Sequence, residues 1–188
     1  MGGRLADAVR ALAAGRLVVY PTDTLLGLGA RARDARAVAR LAEAKGRPPR
    51  LAISVAVSSL EEAEALARLS PGARRFLRKH LPGPYTVLVR SSPLARRTLA
   101  PPTLGRRGTL GLRVPDHPLA RELARRAGPI TATSANRHGE PPCRTVVEAR
   151  RAFRRAVAVY LPAVPTPSGR PSTLVDLTRG APRVVARR

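Results

Sequence analysis

The sequence predicts an α/β fold: one domain over residues 1–188, built on a twisted mixed sheet with flanking helices. Helical and strand periodicities alternate along the chain, the pattern of a sheet with helical cover. Apolar residues make up 44% of the 188, enough for a sizeable core. Clusters of small polar residues fall where strand signals end, which is where α/β sheets collect ligands.

The elements follow in order. RLADAVRALAAG has apolar residues at helical spacing and stops at Gly15. RLVVY is a short buried strand, and YPTDTLLGLGA then interrupts the apolar run with hydroxyl and acid groups. DARAVARLAEAKG starts on Asp34 as N-cap and closes on Lys45 and Gly46, a well-punctuated helix. LAISVAV reads as a strand, and SSLEEAEALARL as a helix with Ser59 and Glu62 at capping-box spacing. PGARRFLRKHL is a basic helix. YTVLVR and LGLRV are strands separated by the loop SSPLARRTLAPPTLGRRG. A helix HPLARELARRAG, a strand PITATS, a loop ANRHGEPPCR and a helix TVVEARRAF follow. The strands AVAVYL, STLVDL and RVVA complete the chain. The 15 glycines and 19 prolines account for the many turns, and there is no internal repeat or low-complexity linker.

Charge is the strongest compositional signal: 35 Lys and Arg face 12 Asp and Glu, a net +23. Such a surface attracts polyanions, RNA and DNA foremost. Lysine occurs only at 45 and 79, glutamine is absent and Asn136 is the only asparagine. Coding bias toward arginine, with labile amides disfavoured, therefore explains the same charge. Both readings stand at this level. No stretch of about 18 apolar residues exists, so no membrane span is expected. The N-terminus lacks a signal-peptide pattern, and the expected location is cytoplasmic. The single Cys143 excludes a disulfide framework within the chain and a multi-cysteine zinc site.

The motifs are individually weak. GLGARA lacks the ribose-binding acid about 20 residues on that a dinucleotide loop requires, no P-loop occurs, and TSAN is not a hydrolase elbow. His138 and Cys143 would make half a metal site with the other ligands missing. Gly27 and Gly29 either turn the chain or let backbone approach something closely. AKGRPP places Lys45 and Arg47 just past a helix on a proline-stiffened turn, suited to a phosphate chain or simply to a helix C-terminus. Arg113 is a fork for a carboxylate or phosphate. Thr22 and Thr24, Ser134 with Asn136, and Ser172 with Thr173 form three separate strand-end clusters, more than turns require. Together they predict a shared polar pocket.

Taken in order, YPTDTLLGLGA, AKGRPP, LPGPYT, GLRVPDHP, PITATSAN and PSTLVDL resemble the YrdC/Sua5 family of threonylcarbamoyl-AMP synthases, from about Arg16 to Arg187. The resemblance implies a YrdC-like fold with a concave basic face. It also implies a reaction in which L-threonine, bicarbonate or CO2, and ATP with Mg2+ give threonylcarbamoyl-AMP and pyrophosphate. The product serves N6-threonylcarbamoyladenosine modification of tRNA by a partner transferase, and the charge allows direct tRNA or RNA contact. Position by position, the resemblance assigns Thr24, Arg113, Ala132 (through its backbone) and Ser172 to threonine. Lys45 and Arg47 fall on the nucleotide phosphates, as the catalytic pair. Thr109, Ser134, Asn136 and Arg187 are the further nucleotide contacts. No protein metal ligand is implied.

Some positions depart from the family pattern. Leu51 stands for an Asn, Ala56 for a His, Leu26 for a Tyr and Pro142 for a Ser, and the DGG before the last motif is missing. The longer members carry a second C-terminal domain, so the chain resembles the short form. Two other functions remain at this level. One is a non-catalytic RNA- or ribosome-binding module, which the 3% aromatic content does not favour because little is left for base stacking. The other is carbamoyl transfer of the hydrogenase-maturation kind, whose accompanying regions are not seen.

Overall fold

The computed structural model describes residues 2–179 and 181–185. Helix α1 (Gly2–Ala13) leads into β1 (Leu17–Tyr20), β2 (Gly27–Gly29) and α2 (Ala35–Lys45). Next come β3 (Val55–Ala56), α3 (Leu60–Leu66), β4 (Ala67–Arg68), α4 (Pro71–His80), β5 (Tyr85–Ser91) and α5 (Pro93–Thr98). The chain continues through β6 (Leu104–Gly105), β7 (Thr109–Arg113), α6 (Pro118–Ala127), β8 (Ile130–Thr131) and β9 (Thr133–Ser134). It closes with α7 (Val146–Phe153), β10 (Val157–Tyr160), β11 (Thr173–Asp176) and β12 (Arg183–Val185).

Local chemistry accounts for most of these boundaries. Asp34 accepts from the Ala37 amide at 3.0 Å to start α2, and Gly46 ends it at φ 61°, a left-handed conformation that glycine adopts without strain. Ser59, Ser70, Ser92 and Thr145 cap α3, α4, α5 and α7 in the same way. The Glu62 carboxylate reaches past Ser59 to the Ser58 amide at 2.9 Å, so the expected capping box is shifted by one residue.

The mixed α/β class holds, with the strands distributed over two sheets. One has the order β10-β1-β2-β9; the other runs β12-β11-β5-β7-β3-β8, with β4 beside β5 and β6 beside β7. The β1/β10, β5/β11 and β3/β7 pairs are parallel and the rest antiparallel. The expected strand PITATS is divided at Ala132. Ile130–Thr131 pairs with β3, Thr133–Ser134 pairs with β2, and the Ala132 amide donates to the Ser54 carbonyl at 2.7 Å. One short segment therefore edges both sheets and ties them together.

Three other expectations change. Gly27–Gly29 is a strand against β1 rather than a turn, and close approach is the reason for its glycines. A Cβ on Gly27 would lie 2.7 Å from the Tyr20 ring, and one on Gly29 would lie 3.0 Å from Val18. LAISVAV contributes only Val55 and Ala56 to a sheet, because Ile53 donates to the Pro102 carbonyl instead of to a strand. The loop before LGLRV contains α5 and β6, both short enough to escape the periodicity. Buried residues form three clusters: β5, β7 and β11 with α3 and α4; β1 and β2 with α2 and α7; and α1 against α6.

Candidate active site

The two sheets and the turn after β1 enclose a cavity of about 660 Å³. Its walls include Thr22, Thr24 and Leu26 from the turn, Lys45 and Arg47 from the end of α2, and Leu51, Ala52, Ile53, Ser54 and Ala56. Thr86 and Leu88 of β5, Arg113 at the end of β7, Ala132, Thr133, Ser134 and Asn136, and Ser172 with Leu174 also line it. The structure thus gathers Thr24, Lys45, Arg47, Arg113, Ala132, Ser134, Asn136 and Ser172 around one space.

Thr109 is not among the lining residues. It begins β7 on the sheet face that Arg113 shares, four residues and therefore about 13 Å away, and its hydroxyl donates to the Arg106 carbonyl at 3.1 Å. Arg187 lies outside the described residues.

The turn after β1 is held by its own hydroxyls. Thr22 Oγ1 donates to the Leu25 carbonyl at 2.7 Å and accepts from the Thr24 and Leu25 amides, both at 3.2 Å. The Ser168 and Gly169 amides donate to the Asp23 and Thr24 carbonyls at 3.1 and 2.8 Å, docking the segment before β11 onto this turn. Thr86 and Ser172 hydroxyls meet at 2.8 Å on the cavity wall. Beneath the glycines, the buried Tyr20 donates to the Thr131 carbonyl at 2.8 Å. Burial raises its phenol well above the usual range, with Arg113 pulling the other way and Asp23 adding to the rise.

At the end of α2, the buried Lys45 ammonium donates to the Ser134 and Asn136 carbonyls, each at 2.5 Å. Burial lowers its pKa to about 8, Arg47 adds to the lowering and Cys143 opposes it. Ser134 Oγ donates to Asn136 Oδ1, while Asn136 Nδ2 donates to the Arg137 and Glu140 carbonyls at 2.8 and 2.6 Å. Asn136 thereby folds residues 134–140 into a rim next to Lys45. Arg47 spans the Leu51 and Ala52 carbonyls at 3.1 and 2.9 Å.

Arg113 is paired where the sequence suggested an open fork. Its Nη2 donates to Asp23 Oδ1 at 2.6 Å, both side chains being largely buried. Burial lowers the guanidinium's pKa and Asp23 opposes that shift. Sequence reasoning missed Asp23, Tyr20 and Thr86, although PTDT and LPGPYT carry them; what was invisible was which partners they meet. Leu26, Leu51 and Ala56 line the cavity and Pro142 does not. Three of the departures therefore make the wall more apolar where the family pattern places polar groups.

The cations Lys45, Arg47 and Arg113 and the small hydroxyl groups of Thr24, Ser134 and Ser172 thus line one cavity, an arrangement that suits an anionic ligand. The family model described as Sua5_yciO_yrdC, Telomere recombination, matches residues 10–188, and the chain belongs to that family. It is 40% identical over 179 residues to a protein of Chromohalobacter salexigens named threonylcarbamoyl-AMP synthase, covering 94% of each. It is similar to P. abyssi Sua5 crystallised with L-threonine, at TM-score 0.84 and 30% identity, covering 96% of this chain and 52% of that one. It therefore spans about half the length of that Sua5 chain. A third likeness is full-length HypF in its phosphate- and nucleotide-bound form, at TM-score 0.83 and 26% identity, covering 98% of this chain and 29% of that one.

Proposed function

We propose that the chain is an L-threonylcarbamoyladenylate synthase, joining L-threonine, bicarbonate or CO2, and ATP into threonylcarbamoyl-AMP and pyrophosphate. The observation that carries this reading is that Arg113, Thr24 and Ser172 line the same cavity as Lys45, Arg47, Ser134 and Asn136. The threonine amine takes up CO2 as a carbamate and loses a proton to solvent. A carbamate oxygen then attacks the α-phosphorus, and the bond to the bridging oxygen breaks to release pyrophosphate.

Such a transfer needs positioning and charge neutralisation rather than a protein nucleophile. Lys45 and Arg47 supply the cations, Asn136 shapes the rim beside them, and Arg113 receives the amino-acid carboxylate. The described lining carries no Asp or Glu, and no group of three metal-ligating side chains occurs among the described residues. Among the described residues there is thus no carboxylate cage for Mg2+, which enters in this reading with ATP as its complex.

The product is an activated acyl-adenylate for a transferase that modifies tRNA, in the cytoplasm. No described helix is long and apolar enough to cross a membrane. The polar chemistry built into the cavity favours this reading over a non-catalytic RNA-binding module. Pyrophosphate release from ATP, run with and without threonine and with and without bicarbonate, tests it. Release is expected only when both are present; release without threonine, or none under any condition, would overturn the assignment.

A further inference from the structure

We infer that Asp23 is a positioning residue for the amino-acid end of the cavity, presetting the Arg113 guanidinium to receive a carboxylate. The inference rests on the proposed function for the identity of the ligand and on the geometry for the role. Asp23 does not line the cavity and Arg113 does, so Asp23 acts through the arginine. The pair is joined by one hydrogen bond, Nη2 to Oδ1 at 2.6 Å, with the side chains 8% and 15% exposed. Arg113 Nε and Asp23 Oδ2 are both buried without a partner, so the pair is not the two-bond fork that maximises an arginine–carboxylate contact. A single bond at Nη2 fixes the plane of the guanidinium and leaves its Nη1 free of protein hydrogen bonds among the described residues.

The clamp is itself held rigidly. The Asp23 carbonyl accepts from the Ser168 amide at 3.1 Å, and the flanking Thr22 and Thr24 belong to the hydroxyl-braced turn. His117, also buried, reaches the Pro165 carbonyl at 3.3 Å and steadies the segment that docks on this turn. Preorganisation of this kind lowers the cost of ordering the arginine when ligand binds. It also explains why an acid persists in the turn at the amino-acid end, where its charge by itself would repel a carboxylate.

Asp23→Ala and Asp23→Asn separate geometry from charge. Asp23→Ala is expected to raise the threonine KM about tenfold or more, from loss of a charge-assisted bond, while the ATP KM stays within about twofold. Asp23→Asn keeps the shape and the acceptor at Nη2, so its threonine KM is expected to stay much closer to wild type. Threoninol, which lacks the carboxylate, supplies the control: its inhibition constant should not change in Asp23→Ala. Asp23→Ser, whose hydroxyl is too short to reach Nη2, replaces the alanine variant if that protein melts below the assay temperature. An unchanged threonine KM, an equal rise in the ATP KM, an equal loss for threoninol, or an asparagine variant as impaired as the alanine one would each overturn the inference. If wild type releases pyrophosphate only with threonine and these results still fail, this inference alone falls. If wild type shows no threonine-dependent release, the synthase reading falls and this one with it.

Discussion

Titrating ATP use against pH tests the Lys45 amine directly. Its ammonium is buried between two backbone carbonyls, and burial, aided by Arg47, brings its pKa to about 8 from an ordinary 10.5. The charged form is the one that neutralises phosphate, so ATP use must decline as pH rises through that value. With one titrating group, Lys45 is about nine-tenths protonated near pH 7 and about one-tenth near pH 9, so kcat/KM for ATP should fall about tenfold between them. The assay is pyrophosphate release with ATP varied at saturating threonine and bicarbonate, which keeps carbamate formation from limiting. Lys45→Arg, whose charge persists throughout, should lose this limb whatever its absolute rate. Lys45→Ala should weaken ATP use at every pH. A wild-type profile flat to about pH 9.5, or the same limb retained in Lys45→Arg, would rule out Lys45 as the titrating group. A second consequence follows for folding. Because the folded pKa is lowered, the unfolded chain binds more protons between about 8 and 10.5, so this group's contribution to stability increases with pH across that window.

Two further outcomes are expected. Arg113→Ala should raise the threonine KM by about tenfold to a hundredfold with little change in the ATP KM, measured in the same assay; it also strands the buried Asp23 charge, so a lowered melting temperature should accompany it. Gly27→Ala should destabilise by about 1–3 kcal/mol in a chemical denaturation series, because its Cβ would lie 2.7 Å from a Tyr20 ring that the Thr131 carbonyl holds in place.

Elements whose causes are local were legible in the residues alone. Asp34 and Gly46 bracket α2 because a side-chain cap and a left-handed glycine act within a few residues of themselves. The alternation of helix and strand set the class, and the ordered motifs pointed to the residues that meet in the cavity. The remaining features depend on contacts between residues far apart in the chain. Lys45 finds the carbonyls of Ser134 and Asn136 about 90 positions away, Asp23 finds Arg113 across a similar gap, and one edge segment splits at Ala132 to serve two sheets. Periodicity and capping report on a residue's neighbours in sequence. The partner of a buried charge is set by which strands lie side by side, and that follows from how the whole core closes.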